Sequence, residues 1–213
     1  KKDVPEIINI LNNDEKFTDW NLSFEKIKKE IEVKSSIDLG GVISFILKAY
    51  LKNYGKESSM LGVKKDNNIN YYEQLFKIFP NTKIICLVRD GRAVYNSKRK
   101  ALHSKTGRPF EKNVKKAALS WCEYLKKVER LIKKYPQSTT VIKYEDILTN
   151  TKKELERIGL FLEANFNEKN DFTYKVPNRY GDLHTNINKA PILSRINAWE
   201  SDLSEKEIIN YDI

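Results

Sequence analysis

Apolar residues recur at helical spacing through the first part of the chain. The spacing predicts helices over residues 4–12, 23–33, 40–56 and 68–81. In the second of these segments, Phe24, Ile27 and Ile31 form one apolar stripe between lysines and glutamates. Gly55 and Pro80 stand where the third and fourth helices are expected to end. The first part of the chain is therefore predicted to be helical.

Two later segments have the composition of β-strands. Residues 82–88 are apolar throughout, which is typical of a central parallel strand covered on both faces. Residues 139–147 are rich in β-branched side chains. Helical patterns over residues 91–103 and about 112–135 separate the two, so the order predicts an α/β fold with parallel strands and right-handed crossovers. Two strands are few for such a sheet, and we expect part of it to be weakly signalled or absent from the chain.

Two sequence patterns typical of helix N-termini occur after the second predicted strand. Thr151 and Glu154 have the spacing of a capping box and are predicted to open a helix that runs through Leu162. Residues 204–207 repeat the pattern and are predicted to open a last helix. The asparagine-rich residues 163–198 lack a regular period, so we predict that they are mostly loop.

Composition narrows the classes of partner. With 213 residues, 40% of them hydrophobic, the chain can form one core, and we predict a single domain over residues 1–213. A net charge of +10 and a pI near 9.3 favour an anionic partner: nucleic acid, a membrane surface, a nucleotide or an acidic substrate. Nucleic acid fits least, because basic residues are spread along every predicted helix and no nucleic-acid motif occurs. No apolar run approaches the ~20 residues of a membrane span.

The end of the first predicted strand has the residues of an anion site. Asp90 is placed to cap the following helix, and Gly91 permits a tight turn. Arg89 then lies at the carboxyl edge of the strand, beside helix N–H groups that favour phosphate. Ser97 follows two helical turns after Asp90, on the same face. The alternative is a surface ion-pair cluster of Arg89, Asp90 and Arg92.

Residues 79–97, FPNTKIICLVRDGRAVYNS, resemble the signature with which sulfotransferases bind their donor, 3′-phosphoadenosine 5′-phosphosulfate (PAPS). The resemblance implies that Arg89 and Ser97 bind the 3′-phosphate of the nucleotide. Within the family, RDGR preceded by FPN is most similar to the tyrosylprotein sulfotransferases. It also implies a P-loop-NTPase-like sulfotransferase fold, in which helices flank a central parallel sheet.

A second resemblance places the catalytic lysine of the family. Residues 54–80, YGKESSMLGVKKDNNINYYEQLFKIFP, are similar to the family segment that ends in Gly-x-Lys-Thr-Pro and is followed by a helix and Phe-Pro. This similarity aligns Lys64 with the catalytic lysine. Lys65 is the competitor, because Lys65-Asp66 resembles the Lys-Asp-Pro of tyrosylprotein enzymes. The proline itself is missing, and Asp66 or Asn67 stands in its place.

Two further segments resemble the family in the same order along the chain. Residues 141–166 are similar to its second strand and following helix, which implies that Tyr144 lies near the adenine. Residues 184–199 resemble its carboxyl-terminal loop, with Thr185 near the sulfate end of the nucleotide. Four ordered matches are more specific than one motif.

One family feature has no counterpart in these residues. The family begins with a strand and a P-loop-like segment, Gly-x-x-Arg-Ser-Gly-Thr-Thr, which holds the 5′-phosphosulfate. No such sequence occurs here, and Gly40-Gly41 is not followed by the required basic and hydroxyl residues. Its expected position is upstream of residue 1, so we expect a sulfotransferase domain that is N-terminally incomplete. The alternative is a degenerate relative without this loop.

The resemblance implies an enzyme that transfers a sulfuryl group from PAPS to a hydroxyl or amine, with PAP as the product and no metal. The acceptor stays open among peptide tyrosine, carbohydrate and small molecules. The rival hypothesis is an inactive relative that binds a nucleotide or an acidic partner. No general base stands out, because His103 and His184 are both expected at the surface. Cys86 and Cys122 form no CxxC and are expected to be buried free thiols.

Overall fold

The computed structural model describes residues 3–13, 20, 22–33, 37–53, 60–103, 106–164 and 192–212. The chain folds into two compact units, Lys1–Thr82 and Lys83–Ile213. The prediction of a single domain over residues 1–213 stays a prediction. None of the helices within the described ranges is long and apolar enough to cross a membrane.

The first unit is helical, as predicted. Its α-helices are α1 (Asp3–Asn12), α2 (Phe24–Glu32), α3 (Leu39–Asn53) and α4 (Tyr72–Ile78). Its core is made of isoleucines and a valine from the first three helices: Ile8, Ile27, Ile31, Val42 and Ile46. The prediction of one continuous helix over 68–81 is wrong, because Asp66–Tyr71 forms a 3₁₀ helix before α4.

The second unit is an α/β unit. Its strands are β1 (Ile84–Val88) and β2 (Thr139–Lys143). Its helices are α5 (Gly91–Lys100), α6 (Val114–Lys134), α7 (Tyr144–Thr149), α8 (Thr151–Leu162), α9 (Ala198–Asp202) and α10 (Glu205–Tyr211). The strands pair in parallel, with Ile84 opposite Thr139 and Val88 opposite Lys143, which confirms the predicted parallel pairing. The register places the residues that follow both strands at the same edge of the sheet.

Side chains satisfy backbone groups on both outer edges of this two-stranded sheet. Ile84 donates its N–H to the Ser138 carbonyl, on the side of β1 that faces β2. The backbone groups of successive residues point to alternate sides of a strand, so the Leu87 carbonyl, three residues later, points away from β2. There the Tyr124 hydroxyl donates to the Leu87 oxygen at 3.1 Å. On the outer edge of β2, Arg157 Nη2 donates to the Val141 oxygen at 2.9 Å. Helices α6 and α8 therefore hold the strands through hydrogen bonds as well as through apolar contact.

Both strands differ from their predictions in one respect. The burial of β1 alternates: Cys86 is 4% exposed, whereas Leu87 is 50% exposed, so the described residues cover one face of the strand more than the other. The second strand was predicted to extend to residue 147, but it ends at Lys143 and α7 begins at Tyr144. Glu145 and Asp146 lie in the first turn of that helix, where negative charge is favourable.

The two predicted capping boxes have different outcomes. At α10 the box forms in full: the Ser204 hydroxyl accepts from the Glu207 amide, and the Glu207 carboxylate accepts from the Ser204 amide. At α8 it does not form, because Asn150 is the capping residue and the Thr151 hydroxyl turns back to a carbonyl of α7. The Glu154 carboxylate is instead held by an arginine one turn later.

Gly91 is the first residue of α5, and packing, not a turn, explains the glycine. Its φ is not in the left-handed region, contrary to the predicted role in a tight turn. A side chain at this position would overlap the Tyr211 hydroxyl and would lie 2.8 Å from the Trp121 ring. Tyr211 belongs to a buried cluster with Ala93 and Trp199. The missing side chain lets the C-terminal helices pack closely on the start of α5.

Asp90 caps α5, as predicted. Its Oδ1 accepts from the Arg92 amide at 2.8 Å and from the Ala93 amide at 3.3 Å, and its Oδ2 pairs with Arg92 Nη2 at 2.8 Å. Burial alone would raise the pKa of this carboxyl, but the hydrogen bonds from Arg92 and the two amides outweigh it and lower the pKa. The ionised carboxylate therefore stabilises the start of the helix.

We expect Gly91→Ala to destabilise the protein by about 1–3 kcal/mol, the usual cost of overpacking a tight contact. Urea unfolding would measure the change. Gly62→Ala is the matched control, because nothing lies within 4 Å of a side chain added there. Equal stability of the two variants would show that the contact between Gly91 and Tyr211 does not constrain the helix.

The Asp90 cap predicts a pH dependence of stability. Because the folded pKa lies below the ordinary 3.8, the ionised form contributes stability above that value and loses it as pH falls through the folded pKa. Asp90→Asn keeps a capping group but removes the charge. We expect it to cost about 0.5–1 kcal/mol near pH 7, after allowance for solvent screening. The difference from wild type should shrink in urea titrations below pH 4, and a constant difference between pH 3 and 7 would contradict the ion pair.

Candidate functional site

The carboxyl ends of the two strands bring two predicted site residues together. Arg89 follows β1 and Tyr144 follows β2. The Arg89 guanidinium carbon lies 4.4 Å from the centroid of the Tyr144 ring, within the range of a cation–π contact. Because Val88 pairs with Lys143, the residues that come next are adjacent across the sheet. The parallel register thus creates this contact.

The Arg89 guanidinium has unused hydrogen-bonding capacity. Its Nη2 donates to the Arg195 carbonyl at 2.9 Å. Its Nε is buried and has no hydrogen-bond partner among the described residues. An unpaired buried N–H is costly, and a guanidinium matches the oxygens of phosphate or carboxylate. The side chain is therefore suited to an anion that would accept from Nε.

The helix amides contribute less than the sequence suggested. The predicted site offered the N–H groups of α5 to phosphate, but the Asp90 carboxylate already accepts from the Arg92 and Ala93 amides. An anion at this corner would rest mainly on the Arg89 side chain. The alternative ion-pair cluster forms only in part: Arg92 pairs with Asp90, which raises the Arg92 pKa, whereas Arg89 has no ion pair within the part of the chain that the structure describes.

Ser97 lies on the exposed side of α5, two turns beyond Asp90. The opposite side of the helix is anchored to the C-terminal helices. Asn96 donates to Asp202 Oδ2 at 2.7 Å, and the Arg99 guanidinium donates to the Asp202 carbonyl and pairs with Glu207. The Ser97 hydroxyl thus faces solvent, while its neighbours hold the helix in place.

The basic run after Ser97 has a structural role in this fold. This run includes Arg99 and Lys100. Both side chains bind acidic groups of the C-terminal segment, since Lys100 pairs with Asp202 and Arg99 with Glu207. These two cations are therefore largely neutralised at the packing contact.

The other candidate residues are Lys64, Lys65, Thr185 and the two histidines. Lys64 and Lys65 belong to the first unit, where both are exposed and directly precede the 3₁₀ helix Asp66–Tyr71. Thr185 and His184 lie outside the described residues. His103 is exposed, as predicted, and its ring centroid lies 5.4 Å from that of Phe110.

Burial affects one of the two thiols and one tyrosine of the second unit. Cys86 is buried, as predicted, and burial raises the pKa of its thiol to about 11. Cys122 is exposed, so the prediction that both thiols are buried is wrong for it. Burial also raises the pKa of Tyr211, whose hydroxyl has no hydrogen-bond partner among the described residues. Cys86 and Tyr211 are therefore protonated at neutral pH and pack in the interior.

Sequence reasoning missed two side chains that hold the corner. The Trp121 indole donates to the Arg89 carbonyl at 3.0 Å, and Glu145 Oε1 accepts from the Asp90 amide at 3.0 Å. The prediction that the second strand extends to residue 147 placed Glu145 within that strand. The acid directly after a strand end was the available signal, because carboxyl ends of parallel strands collect polar functional groups.

Comparisons with known proteins identify the fold and the family. The structure of a "Sulfotransferase Domain from the Curacin Biosynthetic Pathway" resembles this chain with a TM-score of 0.53 and 18% sequence identity, over 87% of this chain and 76% of that one. At that identity the likeness shows the fold. No curated protein matches the chain. The model of the sulfotransferase family matches residues 4–168, well over half of the sequence. This chain, with its parallel strands and arginine-bearing corner, belongs to the sulfotransferase family.

Proposed function

We propose that the protein transfers a sulfuryl group from PAPS to a hydroxyl or amine acceptor. The family supports sulfuryl transfer in general. The observation that carries the choice of donor is the Arg89 guanidinium, which lies at the carboxyl end of β1, stacks on Tyr144 and has a buried, unpaired Nε among the described residues. Such a group is suited to the 3′-phosphate that distinguishes PAPS from simpler adenine nucleotides.

Three residues would hold the donor at this corner. The Arg89 guanidinium would donate to the 3′-phosphate, and the exposed Ser97 hydroxyl would add a second donor to it. Tyr144 has one ring face occupied by Arg89, so its other face or its edge would contact the adenine. Thr185 would lie near the sulfate end of the nucleotide.

The chemistry requires a cation near the leaving oxygen. Sulfuryl transfer forms a bond from sulfur to the acceptor oxygen or nitrogen while the bond from sulfur to the bridging phosphate oxygen breaks. The acceptor loses a proton to a base, and the leaving oxygen gains negative charge. We assign the Lys64 ammonium to stabilise that charge or to protonate the oxygen, with Lys65 as its competitor. The acceptor stays open among peptide tyrosine, carbohydrate and small molecules.

One sequence observation favours a second candidate function. Residues 1–213 contain no Gly-x-x-Arg-Ser-Gly-Thr-Thr segment to hold the 5′-phosphosulfate. A relative that lacked such a loop could bind a nucleotide or an acidic partner without turnover. This binding protein would share the Arg89 corner with the enzyme but would need no role for Lys64, so binding and turnover separate the two functions.

We expect Arg89→Ala to weaken binding of PAP about 10- to 100-fold, since it removes a charged donor to phosphate. Isothermal titration of wild type and variant measures this loss. Ser97→Ala should weaken binding less, because a neutral hydroxyl contributes less than a guanidinium. Arg108→Ala is the control, because it removes an exposed arginine of the same unit. Equal affinity of the Arg89→Ala and Arg108→Ala proteins would exclude Arg89 from the site.

We expect Lys64→Ala to reduce sulfuryl transfer about 10²- to 10³-fold and to leave PAP affinity nearly unchanged, because its charge acts mainly on the transition state. The assay uses the full-length protein and labelled PAPS with tyrosine peptides, sulfatable glycans and phenols as acceptors. Lys65→Ala is the matched control and should retain most of the activity. Loss in Lys65→Ala alone would move the catalytic role to Lys65, and PAP binding without transfer to any acceptor would favour the binding protein.

A further inference from the structure

The peptide unit after Arg89 is held at both of its polar ends. The carbonyl of Arg89 and the amide of Asp90 belong to this one planar unit. The Trp121 indole N–H donates to the carbonyl at 3.0 Å, and Glu145 Oε1 accepts from the amide at 3.0 Å. Both bonds are partly buried. Together they fix the orientation of the backbone from which the Arg89 side chain projects.

The acceptor of this amide comes from the neighbouring strand end. Glu145 is 55 residues from Asp90 in sequence and lies in the first turn of α7. The residue before it, Tyr144, carries the ring on which the Arg89 guanidinium stacks. Adjacent residues of α7 thus hold Arg89 at two points, the guanidinium and the following peptide.

We propose that Glu145 is a positioning residue for the phosphate site, acting by fixing the Arg89–Asp90 peptide unit. The inference rests on the proposed function, because it assigns Glu145 a role in binding the donor nucleotide. Without the acceptor, the corner samples other backbone orientations. The apparent affinity then falls by the fraction of molecules in which Arg89 is correctly placed.

A purely structural role for Glu145 makes a different prediction. A carboxylate in the first turn of α7 also stabilises that helix through its charge. Glu145→Gln removes this charge but keeps an oxygen that can accept from the Asp90 amide. Glu145→Asp keeps the charge but withdraws the acceptor by one methylene. The acceptor role therefore predicts that Gln is tolerated and Asp is not, whereas the charge role predicts the reverse.

The test is isothermal titration of PAP into wild type, Glu145→Ala, Glu145→Gln and Glu145→Asp. We expect the Ala and Asp variants to bind PAP about three- to tenfold more weakly. This loss corresponds to a correctly placed Arg89 in about a third to a tenth of the molecules. The Gln variant should bind within about twofold of wild type, the result expected when the acceptor is kept. Asp146→Ala is the charge-matched control, since its side chain lies one residue away and contacts neither Arg89 nor Asp90 in the described residues.

Two readouts separate positioning from folding. Hydrogen exchange of the Asp90 amide should accelerate in the Ala and Asp variants and stay slow in Gln, with or without nucleotide. In the sulfuryl-transfer assay, KM for PAPS should rise while kcat stays near wild type, because ground-state and transition-state binding are lost equally. If Glu145→Ala does not fold, the Gln and Asp pair carries the comparison.

The outcomes distinguish this inference from the proposed function. Unchanged PAP affinity in Glu145→Ala would overturn the role of Glu145. An affinity loss in Glu145→Gln equal to that in Glu145→Ala would do the same. In either case, PAP binding by the wild type would still support the proposed donor. A wild type that does not bind PAP overturns both proposals. A wild type that binds PAP with no loss in Arg89→Ala removes the Arg89 site, and with it the role given to Glu145.

Discussion

The Arg89–Asp90 peptide unit is the point where the main structural constraints of the second unit meet. It joins β1 to α5, and it is bound by the indole of α6 and the carboxylate of α7. Helix α6 precedes β2 and helix α7 follows it. The segments on both sides of the second strand therefore each make a hydrogen bond to this one peptide unit. A parallel pair in a different register would place another residue beside Arg89, and a shift by one residue would turn the Tyr144 ring to the other face.

The same corner is tied to the C-terminal segment on the other side of α5. The Arg195 carbonyl accepts from Arg89, and the Arg92 guanidinium lies 3.9 Å from the centroid of the Trp199 ring. Ion pairs with partly exposed members contribute little stability singly, so the buried apolar cluster around Trp199 and Tyr211 must supply most of the attachment. The polar contacts then decide how the segment is oriented on the helix. A backbone group of that segment consequently contacts the guanidinium directly.

Signals that act within a few residues were readable from the sequence, and contacts between distant residues were not. The Asp90 cap and the Ser204 capping box depend on neighbours one turn away, and both form as predicted. Glu145 binds the Asp90 amide 55 residues earlier in the sequence, and the β-branched composition that predicted β2 carries no sign of this contact. Gly91 suggested a turn, but the side chain that excludes a Cβ there comes from the last helix of the chain.

The site itself follows the same division. Arg89 and Tyr144 were identified separately, through a resemblance at each strand end, yet their stacking on one another is a consequence of register that neither segment encodes alone. Cys122 was predicted to be buried but is exposed on the long helix α6. The residues next to it in sequence did not predict which side of that helix faces solvent. A segment can specify a residue type for a role, but the packed sheet determines its partners.

The net charge of +10 does not by itself select the anion site, because most cations near α5 have local partners. Arg92 is paired with Asp90, and Arg99 with Glu207. Arg89 is the arginine of this region whose described contacts are a ring face and a carbonyl, neither of which carries a full negative charge. Its positive charge is therefore the least compensated of the three. Local pairing, and not the total charge, therefore distinguishes Arg89 from Arg92 and Arg99 as a candidate contact for an anion.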